Sequence, residues 1–70
     1  MKKSLESKIN EFIEAYRVIR DIYYTDKFKD LENYKHFFIL KRSNEIAFAF
    51  TSDEEMIEFI DNNLEPLRNY

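Results

Sequence analysis

Glycine and cysteine are both absent from this chain of 70 residues, and proline and histidine each occur once. Without cysteine, no disulfide can form and no thiolate site exists. A lone histidine, His36, cannot build a histidine-rich metal site. The lack of glycine excludes the glycine-rich loops that cradle phosphates in nucleotide-binding proteins. We therefore expect a protein that is not an enzyme and that holds no metal or cofactor.

Long apolar runs are also missing. No stretch of the sequence approaches the ~20 apolar residues that a membrane-spanning helix needs. The basic start at residues 1–3 continues into polar residues rather than into the apolar core of a signal peptide. We expect a soluble, cytoplasmic protein that does not bind membranes.

Aromatic side chains are plentiful, with seven Phe and five Tyr. A chain of this length forms one domain, so we predict a single domain over residues 1–70. Domains of this size bury only about 60% of the surface that the unfolded chain exposes. The stability of the fold must therefore come largely from burying the aromatic rings.

An amphipathic helix is predicted over residues 4–23, with Ser4 as its N-cap. Apolar residues recur there at spacings of three and four, which places them on one face: Leu5, Ile9, Phe12, Ile13, Tyr16, Ile19 and Tyr23. A second apolar line, off the main face, is formed by Ala15, Val18 and Ile22. This line is expected to pack either under the following loop or against another copy of the chain or another protein.

A β-hairpin is predicted from residues 36–41 and 46–50, which flank a turn at residues 42–45. The pairing that this turn implies sets Ile39 opposite Phe48, and opposed residues share a face of the sheet. One predicted face therefore carries Phe37, Ile39, Ile46, Phe48 and Phe50. The other carries Phe38, Leu40, Ala47 and Ala49.

A second helix is predicted after the hairpin. Thr51 or Ser52 can cap it, and Glu54 or Glu55 completes a capping box. Pro66 is expected to end regular structure. Residues 24–35 are predicted to be a connector with one helical turn, or alternatively to add a short third strand. The predicted fold is α+β in the order αββα, a two-stranded antiparallel hairpin packed with two amphipathic helices.

The second face of the hairpin raises the question of what covers it. Burying a Phe or Leu side chain contributes about 1.5–3 kcal/mol, so leaving this face wet is costly in a small domain. The two helices can sandwich the hairpin, two copies can pair, or another protein can cover the face. We predict a protein interface, with a homo-oligomer as the expected state, at Phe38, Leu40, Ala47, Ala49, Val18 and Ile22.

Charge is unevenly distributed along the chain, whose net charge is −3. Residues 1–42 hold ten basic and seven acidic residues, a balance of +3, whereas residues 43–70 hold one basic and seven acidic residues, a balance of −6. The two ends are expected to attract each other within the fold. In the second helix, an acidic surface is predicted at Glu54, Glu58, Asp61 and Glu65, either solvated or facing a basic partner.

The function predicted from these features is a small, non-enzymatic protein-binding module that self-associates or docks on a partner. An adaptor or inhibitor of the kind that phages and mobile elements encode is compatible with it. The alternative is a nucleic-acid-binding protein, because a basic and aromatic surface suits single strands. Its residues are Lys27, Lys29, Lys35, Lys41 and Arg42, interleaved with Phe28, Tyr34 and Phe38. The negative net charge opposes binding to a polyanion, so nucleic acid is the weaker hypothesis.

Overall fold

The computed structural model describes residues 4–69, and the basic start at residues 1–3 lies outside them. The described residues form two helices and three strands: α1 (Leu5–Tyr16), β1 (Ile22–Thr25), β2 (His36–Leu40), β3 (Ile46–Phe50) and α2 (Asp53–Arg68). The α+β class is confirmed. The sheet is antiparallel with the strand order β1-β2-β3, so the predicted two-stranded hairpin and αββα order miss the first strand.

Helix α1 begins where it was predicted to begin and ends earlier. The Ser4 hydroxyl accepts a hydrogen bond from the Ser7 amide at 3.1 Å, as an N-cap does. The helix stops at Tyr16, whose carbonyl accepts hydrogen bonds from the amides of Ile19 and Arg20 in a tight turn. The prediction of a helix to residue 23 is therefore wrong beyond Tyr16.

Strand β1 explains why α1 is short. Ile22 lies opposite Leu40 and Tyr24 lies opposite Phe38, so the segment after the turn joins β2 as a third strand. β-branched and aromatic residues favour strands when a partner strand is present. The second apolar line predicted on the helix does not exist, because Ile22 belongs to β1. The connector at residues 26–35 contains hydrogen-bonded turns in place of the predicted helical turn.

A β-bulge in β3 sets which side chains share a face. Ile39 lies opposite Ile46, on the face that the two were predicted to share, although Phe48 was the partner predicted for Ile39. Phe38 lies opposite Phe48, so Ala47 is an extra residue in β3. One extra residue reverses the alternation of the strand beyond it. The two faces predicted for the hairpin are therefore wrong past this point. Phe38, Phe48 and Phe50 share the face that also carries His36, opposite Phe50.

The β2–β3 turn is held by its own backbone. The Leu40 amide donates to the Glu45 carbonyl at 2.8 Å, and the Asn44 amide donates to the Leu40 carbonyl at 2.7 Å. Asn44 has a φ of 59°, in the left-handed region that asparagine tolerates better than most residues. With no glycine in the chain, asparagine supplies this backbone conformation.

Both helices pack on the same face of the sheet. Phe12 of α1 lies 5.0 Å from Phe38 between ring centres, and Phe59 of α2 lies 4.7 Å from Phe48. The Cα atoms span 35 × 29 × 15 Å, which fits one sheet and one helical layer. The core lies where the helices meet the sheet, and its buried residues are Ile9, Phe12, Ile22, Phe38, Phe50, Met56 and Ile60.

Helix α2 has the predicted start and a later end. The Ser52 hydroxyl accepts from the Glu55 amide at 3.2 Å, and the Glu55 carboxylate accepts from the amide and hydroxyl of Thr51. Pro66 lies inside the helix, which continues to Arg68, so the expectation that Pro66 ends it is wrong. A proline in the last turn removes one backbone donor close to the point where the helix ends in any case.

The connector covers the other face of the sheet at Phe37. The Phe37 ring centre lies 5.9 Å from that of Phe28 and 6.2 Å from that of Tyr34. Phe37 and its face neighbour Ile39 are fully buried, although the helices pack on the opposite side. The helices cover Phe38 and Leu40, on the face where a partner was predicted, and the connector shields Phe37 on the opposite face. This coverage removes the physical ground for expecting a partner on the hairpin.

We predict that Phe48→Ala lowers the free energy of unfolding by about 2–4 kcal/mol, because its ring packs between Phe12 and Phe59. The neighbouring change Ile46→Ala should cost about 1 kcal/mol or less, since Ile46 is partly exposed on the other face. Urea unfolding curves measure both values. Equal losses would contradict the bulge, because an unbroken strand places both side chains on one face.

Candidate functional site

The residues predicted to form a protein interface do not form one surface. Phe38 and Ile22 are fully buried in the core, so their side chains are unavailable to a partner. Leu40, Ala47 and Ala49 are half-buried. Ala49 lies opposite Phe37 and shares its face, whereas the half-buried Leu40 and Ala47 pack against the helix-side core. Of the six residues, Val18 alone is largely exposed, at 58%.

A depression lies between two turns at one end of the sheet. Its lining comes from the segment between α1 and β1 and from the β2–β3 turn. The two segments are joined by a hydrogen bond of 3.2 Å from the Lys41 amide to the Asp21 carbonyl. We call this depression the cationic pocket, and its lining residues are Ile19, Arg20, Asp21, Leu40, Lys41, Arg42 and Ser43.

Positive charge dominates the cationic pocket. Arg20, Lys41 and Arg42 contribute three cations, and the single carboxylate, Asp21, lies 3.6 Å from the guanidinium of Arg17. Within residues 4–69, none of the three cations of the pocket forms an ion pair. The pocket is therefore a site of uncompensated positive charge.

Apolar side chains adjoin these cations. Ile19 is 44% exposed and lines the pocket with Leu40, and Val18 precedes it in the same turn. Val18 and Ile19 are the two most exposed large apolar side chains in the described part of the chain. Cations beside exposed aliphatic groups suit a ligand that carries carboxylates next to an apolar side chain.

The basic residues proposed for nucleic-acid binding are divided into two groups. Lys35 and Lys41 flank β2, and six residues of extended chain separate them by about 20 Å. Phe38 is buried, and the ring of Phe28 contacts Phe37 and lies 5.1 Å from Lys29 Nζ, so both rings already have partners within the fold. Lys41 and Arg42 instead join Arg20 in the cationic pocket.

The acidic surface predicted on α2 is present as an exposed face. Glu54, Glu58, Asp61 and Glu65 are all exposed. The Asp61 carboxylate accepts a hydrogen bond from Lys8 of α1 at 2.7 Å, which is one attraction between the basic and acidic parts of the chain. Across residues 4–69, Glu54, Glu58 and Glu65 form no ion pair.

A hydrogen-bonded chain that the sequence did not reveal links Tyr24, His36 and Asp53. The Tyr24 hydroxyl lies 2.7 Å from His36 Nδ1, and His36 Nε2 lies 2.5 Å from Asp53 Oδ1. The Asp53 carboxylate accepts from Nε2–H, so Nδ1 accepts from the Tyr24 hydroxyl. These contacts join β1, β2 and the first residue of α2. His36 is buried.

The Tyr24 hydroxyl is not activated as a base or a nucleophile. Its burial raises the pKa of the phenol above the usual value of 10.0, and the nearby carboxylates of Asp26 and Asp53 raise it further. A catalytic phenolate requires a shift in the opposite direction. We call the three linked side chains the polar tie, because they connect β1, β2 and α2 by hydrogen bonds and contain no activated phenol.

Residues 4–69 contain neither a cluster of metal ligands nor a membrane-spanning helix. These residues contain no group of three or more His, Asp or Glu side chains placed to hold a metal ion. Neither helix of this part of the chain is long and apolar enough to cross a membrane.

Comparison with protein-family models, with curated proteins and with solved structures gives no significant match.

We predict that stability falls as the pH rises above about 10. Tyrosine in the unfolded chain ionises near that pH, whereas the raised pKa keeps folded Tyr24 protonated, so the unfolded state loses its proton first. Tyr24→Phe should reduce this loss and should cost about 1–2 kcal/mol at neutral pH, because His36 Nδ1 loses its donor.

Urea unfolding at several pH values, from neutral to alkaline, measures this effect. Tyr23→Phe is the matched control, since Tyr23 lies next to Tyr24 on β1 and its hydroxyl donates to Asn44 instead. A Tyr24→Phe protein with the alkaline slope of the wild type would contradict the prediction.

Proposed function

We propose that this chain is a non-enzymatic protein-binding module that docks an acidic, partly apolar segment in the cationic pocket. The observation that carries the proposal is the placement of Arg20, Lys41 and Arg42, all without ion pairs in residues 4–69, beside the exposed Ile19. Arginine is typical of the energetically important centres of protein interfaces.

The free energy that a ligand can gain at the cationic pocket supports an interface of modest affinity. Covering the exposed parts of Val18 and Ile19 contributes about 1–3 kcal/mol, and charge-assisted hydrogen bonds to the cations add to this gain. Part of the gain offsets the entropy lost when two molecules associate. We therefore expect dissociation constants between about 1 μM and about 1 mM.

Two other classes of function have less support. A nucleic-acid-binding surface needs its cations in one tract, but Lys35 and Lys41 lie at opposite ends of β2, and Phe38 is in the core. An enzyme that uses Tyr24 as its nucleophile needs a lowered pKa of the phenol, whereas the pKa of Tyr24 is raised by burial.

We predict that a synthetic peptide of Glu, Leu and Phe residues binds this pocket. Titration followed by NMR amide shifts should show the largest changes at residues 18–21 and 40–43. Lys41→Gln combined with Arg42→Gln should weaken binding by about tenfold or more, because two charge-assisted contacts are lost. The control is Lys27→Gln combined with Lys29→Gln, which removes the same charge from the connector.

The loss of peptide binding in each of the two double variants distinguishes the proposed function from nucleic-acid binding. Equal weakening by the two double variants would contradict docking in the cationic pocket, because only the net charge would then matter. Mixed-sequence single-stranded DNA is titrated in parallel. Salt-dependent binding to DNA that is tighter than to the peptide, and that depends on Lys27 and Lys29, would favour the alternative function.

A further inference from the structure

Two uncompensated groups of opposite charge lie on this molecule. The cationic pocket contributes Arg20, Lys41 and Arg42, and the outer face of α2 contributes carboxylates that form no ion pair across residues 4–69. We call these carboxylates the acidic face of α2, and they are Glu54, Glu58 and Glu65. We propose that the acidic face of one copy of this chain docks in the cationic pocket of a second copy. This inference rests on the proposed function and names the partner.

The acidic face is a rigid, regular ligand. Glu58 follows Glu54 by four residues and precedes Glu65 by seven, so the three carboxylates lie along one side of the helix. At 1.5 Å per residue, they span about 16 Å. Helix α2 is already folded against the sheet through Met56 and Ile60. Docking it therefore costs less conformational entropy than docking a flexible acidic segment.

The two charged groups do not neutralise each other within one molecule. The cations that do pair with carboxylates across the helices are Lys8, with Asp61 at 2.7 Å, and Arg68, with Glu11 at 3.5 Å. The pocket cations lie at the two turns instead, and the described structure pairs none of them with α2. Asp21 of the pocket lies beside Arg17, so in an assembly of this chain alone a second molecule supplies further carboxylates to the pocket cations.

The geometry of this contact is head-to-tail. Different surfaces of the two copies meet, so each bound pair still has one free pocket and one free acidic face. Contacts of this kind form rings or extended chains, whereas a two-fold dimer uses the same patch twice. Screening by salt should weaken the contact, since the screening length falls from about 30 Å at about 0.01 M salt to about 8 Å at about 0.15 M.

Sedimentation equilibrium with two neutralised variants tests the contact. The pocket variant carries Lys41→Gln and Arg42→Gln, and the face variant carries Glu54→Gln and Glu58→Gln. We expect the wild type to self-associate at about 0.01 M salt and to do so about tenfold more weakly at about 0.15 M. Each variant alone should be monomeric at concentrations where the wild type associates.

Mixing the two variants gives the decisive result. The intact acidic face of the pocket variant meets the intact pocket of the face variant, so we expect a 1:1 complex of twice the 8.6 kDa mass that cannot extend. The control carries Asp30→Asn and Glu32→Gln, which remove two acidic charges from the connector. It should associate as the wild type does.

Other outcomes would overturn the inference. Self-association that persists in the face variant alone would place the contact elsewhere, and a mixture that stays monomeric would show that the two surfaces do not meet. A wild type that is monomeric at low salt would also refute it. The peptide titration separates these results from failure of the proposed function, because a pocket that binds the Glu, Leu and Phe peptide still serves a different partner.

Discussion

The extra residue in β3 is the constraint on which the rest of the structure depends. Ala47 shifts the ladder between Phe38 and Ile39, so Phe48 and Phe50 turn toward the helices. Aromatic rings from β2, β3, α1 and α2 then meet in one layer, with Phe12 in contact with four neighbouring rings. A chain without disulfides obtains its core in this way, by concentrating its bulkiest side chains on one face of the sheet.

This arrangement determines which surface remains for a partner. The helices cover one face of the sheet, and Phe28 and Tyr34 of the connector cover Phe37 on the other. Val18 and Ile19, the two most exposed large apolar side chains of the described residues, lie at the turn end of the sheet beside the cationic pocket. The proposed function therefore depends on turns that project beyond the core, and the polar tie through His36 lies at the opposite end of β2.

Local patterns predicted the features that local interactions determine. The caps at Ser4 and Ser52 and the two hairpin strands were predicted because their signals lie within a few residues of each other. Ile22 fits a helical and an extended pattern equally well, and pairing with Leu40 decides between them. The bulge at Ala47 has no local signature. Of the residues that line the cationic pocket, Leu40 was predicted for a protein interface, and Lys41 and Arg42 were predicted for nucleic-acid binding. The exposure of Ile19 and the place of Arg20 in the pocket were missed, because both residues were assigned to a longer helix.

Nuclear Overhauser contacts of the Phe48 ring in the isotope-labelled protein test this account most directly. The shifted ladder predicts cross-strand contacts of Phe48 with Phe38, and contacts of its ring with Phe12 and Phe59. The register predicted from the turn pairs Phe48 with Ile39 instead. Observation of the second pattern would move Phe48 out of the helix-facing core and contradict the fold described above.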